Sequence, residues 1–324
     1  MKIRIKLPSL IGSVFIQVRH YCLIMTNSKK TAVFGLGSMG FGIASSLLKE
    51  GHDVYGFDVV QAQAERFLEQ GGQPGTLQQA AGQIGTVVSV VLNAQQTESI
   101  LFGEHGIVPL LKPGACVISC ATVSPGFARR MENQCAEHQV HYLDAPISGG
   151  AAKAAQGKLS VMAAGRPPAF AAAQNTLHAI AETVFELGDE AGPGSAMKAV
   201  NQLLAGVHIA SMAEALTFGI TQGIQPEKML ETISECAGSS WMFENRAPHV
   251  VAGDYTPHSA VNIWLKDLGI VLDIAKDAKF SAPLTAAALQ QFIAAAGQGL
   301  GLEDDAAVAK VYAKNAGIRL PGDD

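Results

Sequence analysis

Cysteine is scarce and scattered in this chain. The five cysteines, Cys22, Cys116, Cys120, Cys135 and Cys236, are odd in number and form no CxxC pair. A disulfide framework or a zinc ribbon is therefore not expected to organise the fold, and a reducing compartment such as the cytoplasm suits this usage. Cys116 and Cys120 lie in an apolar run and read as small core residues. The sequence has no HxxxH, which removes the helical histidine pair of a zinc site and with it a metal-dependent alcohol dehydrogenase; no metal is expected. Excess positive charge is missing too. Against 28 Asp and Glu stand 23 Lys and Arg, for a net charge of −5, and no basic stripe offers itself to nucleic acid. Aromatics are 6% of the residues, and Trp241, Trp264 and Phe243 lack the basic surroundings of a base-stacking platform. They read as packing residues.

A membrane anchor is not expected at the N-terminus. Residues 1–28 open with basic and apolar residues as a signal peptide would, yet Pro8, Gln17, Arg19 and His20 interrupt them and no small-x-small cleavage site follows. The stretch is too short and broken to span a bilayer. The folded protein is expected to begin near Lys29, with Met25 as an alternative start and 1–28 as a disordered extension outside the fold.

Apolar residues make up 48% of 324, enough to bury a large core and to divide into two domains. Short β-branched runs at 31–34, 53–57, 86–92, 116–119, 140–143, 160–163 and 183–186 alternate with helix-like segments such as 38–50, 61–70 and 124–138. The first four runs are nearly all apolar, as parallel strands covered on both faces should be. The alternation predicts a doubly wound α/β sheet over residues 29–192. After "GDEAGPG" the strand signals stop. The stretch from Ser195 to about Gln222 is apolar nearly all round, which predicts a buried central helix at the root of an all-helical domain, 193–324.

Within "AVFGLGSMGFGIASSLLKEGHDVYGFDVV", Gly35, Gly37 and Gly40 form GxGxxG between an apolar strand and a helix. The first glycine permits a tight turn, the second lets backbone approach a pyrophosphate, and the third lets the helix pack closely. The helix N-terminus presents its N–H groups to phosphate, so residues 35–40, including Leu36, Ser38 and Met39, are the expected phosphate cradle. Asp58 ends the second strand 18 residues after Gly40. A carboxylate there accepts from the adenosine ribose hydroxyls and repels a 2′-phosphate, which favours NAD over NADP. Asn93 and Thr122 also fall at strand ends, where ligands of such sheets bind.

In "GPGSAMKAVNQLLAG", Lys198 has apolar neighbours Met197, Val200, Leu203 and Leu204, with Asn201 and Gln202 at i+3 and i+4 and Gly194 at i−4 leaving room. A desolvated amine there would trade protons near neutrality, although a single helical Lys is more often a solvated one.

Four blocks, "FGLGSMGFGIA", "DAPISGGAAKAAQGKLSVMAAG", "GSAMKAVNQ" and "WLKDLGIVLD", occur in this order across residues 30 to 320. Together they resemble the signature blocks of the β-hydroxyacid dehydrogenases, the group of 3-hydroxyisobutyrate dehydrogenase and tartronate semialdehyde reductase. The resemblance implies NAD-dependent oxidation of a small hydroxy acid, with L-threonate to 2-oxo-tetronate as the first expectation. It makes Lys198 the acid/base at the substrate hydroxyl. It places Asn201 and Gln202 at the substrate and makes Ser148, Gly149 and Gly150 the loop that receives its carboxylate. Lys266 would reach the cofactor from the helical domain, Asp267 would support its own helix or pair with a neighbour, Thr122 would line the nicotinamide side, and Asn93, on a loop that departs from the family's Pro-containing one, would contact the cofactor. A homodimer or homotetramer follows from the same resemblance. The alternatives are a reductase of a small aldehyde acid, a 3-hydroxyisobutyrate-type dehydrogenase, and a non-enzymatic NAD-binding scaffold.

Overall fold

The computed structural model describes residues 29–323, so the expected extension at 1–28 lies outside the described residues. The strands are β1 (Lys30–Phe34), β2 (Asp53–Phe57), β3 (Thr86–Ser89), β4 (Cys116–Ser119), β5 (His141–Asp144), β6 (Ile147–Ser148), β7 (Leu159–Ala163) and β8 (Ala181–Glu186). Among and after them lie α1 (Ser38–Lys49), α2 (Gln61–Glu69), α3 (Leu77–Ala80), α4 (Ala94–Phe102), α5 (Pro125–Glu137), α6 (Gly150–Ala155) and α7 (Pro167–Ile180). The helical half follows as α8 (Pro193–Thr221), α9 (Pro226–Ser234), α10 (Trp241–Ala252), α11 (Val261–Asp277), α12 (Pro283–Ala295) and α13 (Val308–Ala316).

Strands β1 to β5 form one sheet in the order β2-β1-β3-β4-β5, with every pairing parallel. Alternation along each strand divides the side chains between two apolar layers. Val33, Val88, Cys116 and Ile118 pack with Ile43 and Leu47 of α1 and Ala173 and Leu177 of α7. Their neighbours Ala32, Phe34, Val87 and Val117 pack with Leu101 of α4 and Phe127 and Met131 of α5. Burial on both faces is why these strands read as unbroken apolar runs. Strand order reverses direction between β1 and β3, and ligands of open parallel sheets bind outside the carboxyl ends of the strands at such a point.

Two details depart from the sequence expectation. The run at 86–92 leaves the sheet early: Val90 N–H still donates to Phe34 C=O at 2.8 Å, after which the chain peels away to Asn93. The runs at 160–163 and 183–186 do not extend the first sheet. They belong to a separate three-stranded sheet, β6-β7-β8, in which β6 is antiparallel to β7. Pro146, with no N–H to give to a ladder, follows β5 and breaks it. A single antiparallel bridge, Asp144 to Ala164, joins the two sheets.

The second half is helical, built on the 29-residue α8. Ile209, Met212, Ala213 and Leu216 of α8 pack against Phe243, Trp264, Leu268, Phe292 and Val311 from the surrounding helices. Burial is one-sided, however. Met197, Val200, Leu204 and Phe218 are exposed large apolar side chains, so an all-round apolar sequence here does not mean all-round burial.

Helix α1 also crosses α6 at close range. A Cβ at Gly42 would lie 2.8 Å from Ala155 N and 3.0 Å from Ala154 Cβ, both held by helical backbone. Gly42→Ala should therefore destabilise the fold by about 1–3 kcal/mol, the usual cost of overpacking, read as a lower denaturation midpoint at unchanged m-value.

Candidate active site

The turn after β1 closes on itself. Gly35 has φ of +87°, and a Cβ at Gly40 would sit 1.7 Å from Gly35 O, so the first and last glycines of the motif face each other. Gly37 is different: a Cβ there would meet nothing within 4 Å, and the residue is exposed at the mouth of α1. Ser38 is exposed and Met39 half-buried on the first turn of that helix. The Leu36 side chain turns into the core. Its N–H donates to Asp58 Oδ2 at 2.6 Å, and Val60 N–H donates to Asp58 Oδ1 at 2.8 Å. Each carboxylate oxygen thus retains acceptor capacity toward a hydroxyl donor. Bare backbone at Gly37 over a helix N-terminus, with an unsaturated carboxylate beside it, fits the pyrophosphate and ribose of a dinucleotide.

Asn93 caps α4, its Oδ1 accepting from Gln96 N–H at 2.9 Å. Thr122 is half-buried in the loop between β4 and α5. Both stand beyond the carboxyl ends of their strands, on the same edge of the sheet as the glycine turn.

Lys198 also lies at this edge, beside β5. It is 8% exposed, and its Nζ donates to Ile147 C=O at 2.9 Å. Burial lowers the amine from 10.5 to about 8, Asp267 opposes that shift and Lys266 assists it. Desolvation is the largest of these influences, and the direct contacts of the Asp267 carboxylate are with other donors. Gln202 Nε2 and Lys266 Nζ donate to its two oxygens, each at 2.5 Å. Asn201 Nδ2 donates in turn to Gln202 Oε1 at 2.8 Å. Lys198, Asn201, Gln202, Lys266 and Asp267 are therefore one polar cluster spanning α8 and α11.

The desolvation does not come from the side the sequence suggests. Met197, Val200 and Leu204 are 44%, 55% and 49% exposed, while Lys198 points the other way, onto β6. Nor is the space at Gly194 open. A Cβ there would come within 2.5 Å of both Asp144 O and Met162 O, so that glycine lets α8 seat against the backbone of β5 and β7.

Ser148 ends β6, Gly149 precedes α6 with φ of +134°, and Gly150 begins α6 with φ of +74°. Ser148 immediately follows the carbonyl that holds Lys198, which brings the turn beside the amine. A Cβ on Gly150 would meet nothing within 4 Å, so bare backbone is presented there as well.

Sequence reasoning missed Asp144, which opens the second signature block but was given no part. Its side chain is 1% exposed. Its Oδ2 accepts from Gly192 N–H at 2.9 Å and Ser195 N–H at 2.8 Å, and its Oδ1 from Ser195 Oγ at 2.6 Å. Burial raises its pKa and these hydrogen bonds oppose the rise. No spacing rule could pair residues so far apart; the only local sign was a carboxylate in an otherwise apolar strand end.

Residues 30–188 match the family model described as the NAD binding domain of 6-phosphogluconate dehydrogenase, and residues 192–312 match the NAD-binding region of NADP-dependent 3-hydroxyisobutyrate dehydrogenase. The chain is 48% identical over 296 residues to the L-threonate dehydrogenase of Cupriavidus necator, covering 91% of this chain and 99% of that one. It is 44% identical to the L-threonate dehydrogenase of Escherichia coli, over 90% of this chain and 96% of the relative. A solved structure described as 3-hydroxyisobutyrate dehydrogenase from Salmonella typhimurium superposes with a TM-score of 0.82 at 42% identity, covering 87% of this chain and 99% of that one. The chain belongs to the β-hydroxyacid dehydrogenases, the 3-hydroxyisobutyrate dehydrogenase-related family, and is an NAD-dependent enzyme of the hydroxy-acid dehydrogenase class.

Proposed function

We propose that the substrate is a short sugar acid, L-threonate, oxidised at C2 to 2-oxo-tetronate, with Lys198 as the general base. The single observation that carries the reading is the buried amine: Nζ is fixed on Ile147 C=O and brought to about 8, where it exchanges protons near neutral pH. The names of the two L-threonate dehydrogenases support the choice of acid.

In this reading Gly35 to Gly40 cradle the pyrophosphate, and Asp58 takes the ribose hydroxyls. Asn93 and Lys266 contact the cofactor, and Thr122 lies on its nicotinamide side. Ser148 with the N–H groups of Gly149 and Gly150 receives the substrate carboxylate, and Asn201 and Gln202 orient the hydroxyls. A nicotinamide held there would supply the hydride acceptor for C2. Lys198 Nζ accepts the C2 hydroxyl proton and, in reverse, returns it to the carbonyl oxygen. The Ile147 carbonyl keeps the amine from rotating away. Oxidation is favoured over reduction of an aldehyde acid by the preference for NAD. A 2′-phosphate at Asp58 would meet a carboxylate, and Arg66, the nearby cation of α2, is engaged 4.1 Å over the Phe41 ring.

The exposed apolar side chains on α8, Met197, Val200, Leu204 and Phe218, support assembly into a homodimer or homotetramer through the helical half. The described cysteines are all free, which suits the cytoplasm.

Lys198→Ala should lower kcat by about 10²–10⁴ while NAD binding, followed by quenching of protein fluorescence, persists. Turnover retained in that variant would refute the assignment. The sign of the pH dependence follows from the need for a neutral amine. For oxidation, kcat/KM should rise about tenfold per pH unit below about 8 and level off above it; for carbonyl reduction, which needs the protonated amine, it should be level below about 8 and fall about tenfold per unit above it. Asp58→Ala should narrow the gap between NAD and NADP, measured as the ratio of their kcat/KM values.

A further inference from the structure

The short segment that follows β5 is anchored at every residue. Asp144 exchanges both backbone hydrogen bonds with Ala164, at 2.9 and 2.8 Å. Ala145 N–H donates to Ser119 C=O at 2.9 Å, and Pro146 C=O accepts from Met162 N–H at 2.9 Å. Ile147 pairs with Val161 in the second sheet. Residues 144–147 thus form a rail tied to β4 and β7. The first turn of α8 lies along that rail and touches it at two points in matching register. Asp144 holds Ser195, and three residues further along each chain Ile147 holds Lys198.

Nothing local could replace the first contact. The residue before α8, Gly192, has φ of +123° and no side chain to cap with, and Pro193 follows it. A 29-residue helix starts with N–H groups that have no intrahelical partner. Asp144 supplies the missing cap from another strand, with its carboxyl oxygens at the positive end of the helix. Gly194 permits the approach, since any Cβ would strike the carbonyls of Asp144 and Met162 at 2.5 Å.

We propose that Asp144 is a positioning residue for the reaction: its clamp on Gly192 and Ser195 sets the register in which Lys198 stands dry against the Ile147 carbonyl. The inference rests on Lys198 being the acid/base. Asp144 does not act on the amine through its charge, because the charged groups acting on Lys198 are Asp267 and Lys266. It acts through geometry, and a misplacement of about 1 Å can cost about 10²-fold in rate.

The two explanations, geometry and charge, separate in a pair of variants. In Asp144→Asn the amide oxygen can accept both backbone N–H groups while Nδ2 donates to Ser195 Oγ, so the clamp survives without its charge. Asp144→Ala removes all three bonds. We expect Asp144→Ala to lose about 10- to 100-fold in kcat. The pH midpoint of its kcat/KM should move from about 8 toward 10.5 as the amine becomes wetter. Its NAD affinity should be unchanged. Asp144→Asn should stay within about threefold of the parent in kcat, with the same midpoint. A folded Asp144→Ala enzyme with the parental kcat and midpoint overturns the proposal, as does equal loss in Asn and Ala variants. Should Asp144→Ala not fold, Ser195→Ala removes only the hydroxyl bond. A midpoint raised in the same direction, read both kinetically and from the pH dependence of Lys198 labelling by trinitrobenzenesulfonate, supports the clamp; an unmoved midpoint overturns it. An inactive Lys198→Ala beside an unaffected Asp144→Ala sinks the clamp alone, whereas an active Lys198→Ala sinks the reading beneath it.

Discussion

An ammonium group taken out of water is the constraint around which this enzyme is arranged. Placing Lys198 against Ile147 C=O costs the charged form its hydration, and the protein does not restore it with a dedicated carboxylate. Asp267 is near enough to favour the charged form, yet Gln202 and Lys266 occupy its oxygens. A private ion pair between Asp267 and Lys198 would keep the amine protonated well above neutrality and unable to accept a proton. Here desolvation is the dominant influence on the amine. Gln202, which also accepts from Asn201, and Lys266 thus hold the one carboxylate whose charge favours the protonated amine.

That arrangement requires two halves of the chain to meet at hydrogen-bond distance. The amine is on α8, the carbonyl that fixes it on β6, and the carboxylate that balances it on α11. Absent side chains bring them together. Gly194 lets α8 descend onto the carbonyls of Asp144 and Met162, and Gly42 lets α1 rest on α6, the helix that follows the Ser148 turn. The glycine turn at one end of the sheet edge and the lysine at the other are thereby connected through α6 as well as through the strands. With neighbouring strands about 4.8 Å apart, β1 and β5 stand roughly 14 Å from each other, three spacings along one edge.

The sequence was most legible where chemistry is local. A strand buried on both faces must be apolar throughout, so β1, β3 and β4 could be read directly, and the glycines with Asp58 carried their own turn-and-helix context. It was least legible where a partner lies far along the chain. Asp144 and Ser195 are 51 residues apart, as are Ile147 and Lys198, and neither pairing leaves a periodic trace. Composition also misled about direction. Met197, Val200 and Leu204 surround Lys198 in sequence but face outward, and the groups that dry the amine belong to a sheet edge. The second sheet was hidden because Pro146 breaks the ladder after β5, while the runs on either side of the break keep the same apolar character.

Asp58 and Asp144 show how one residue type, placed at the end of a parallel strand, takes two different parts. Both accept backbone N–H groups from the turn beside them. Asp144 is 1% exposed and takes two N–H groups and a hydroxyl, each at short range, so little capacity remains and no solvent reaches it. It is saturated and therefore a joint. Asp58 is half-buried, with a single N–H on each oxygen, and each oxygen can accept at least one more donor. A carboxylate whose geometry is held by two backbone bonds, but whose acceptors are not exhausted, can take further hydroxyl donors without having to reorganise. The difference between fastening the fold and receiving a ligand lies in how many donors the protein itself has already supplied.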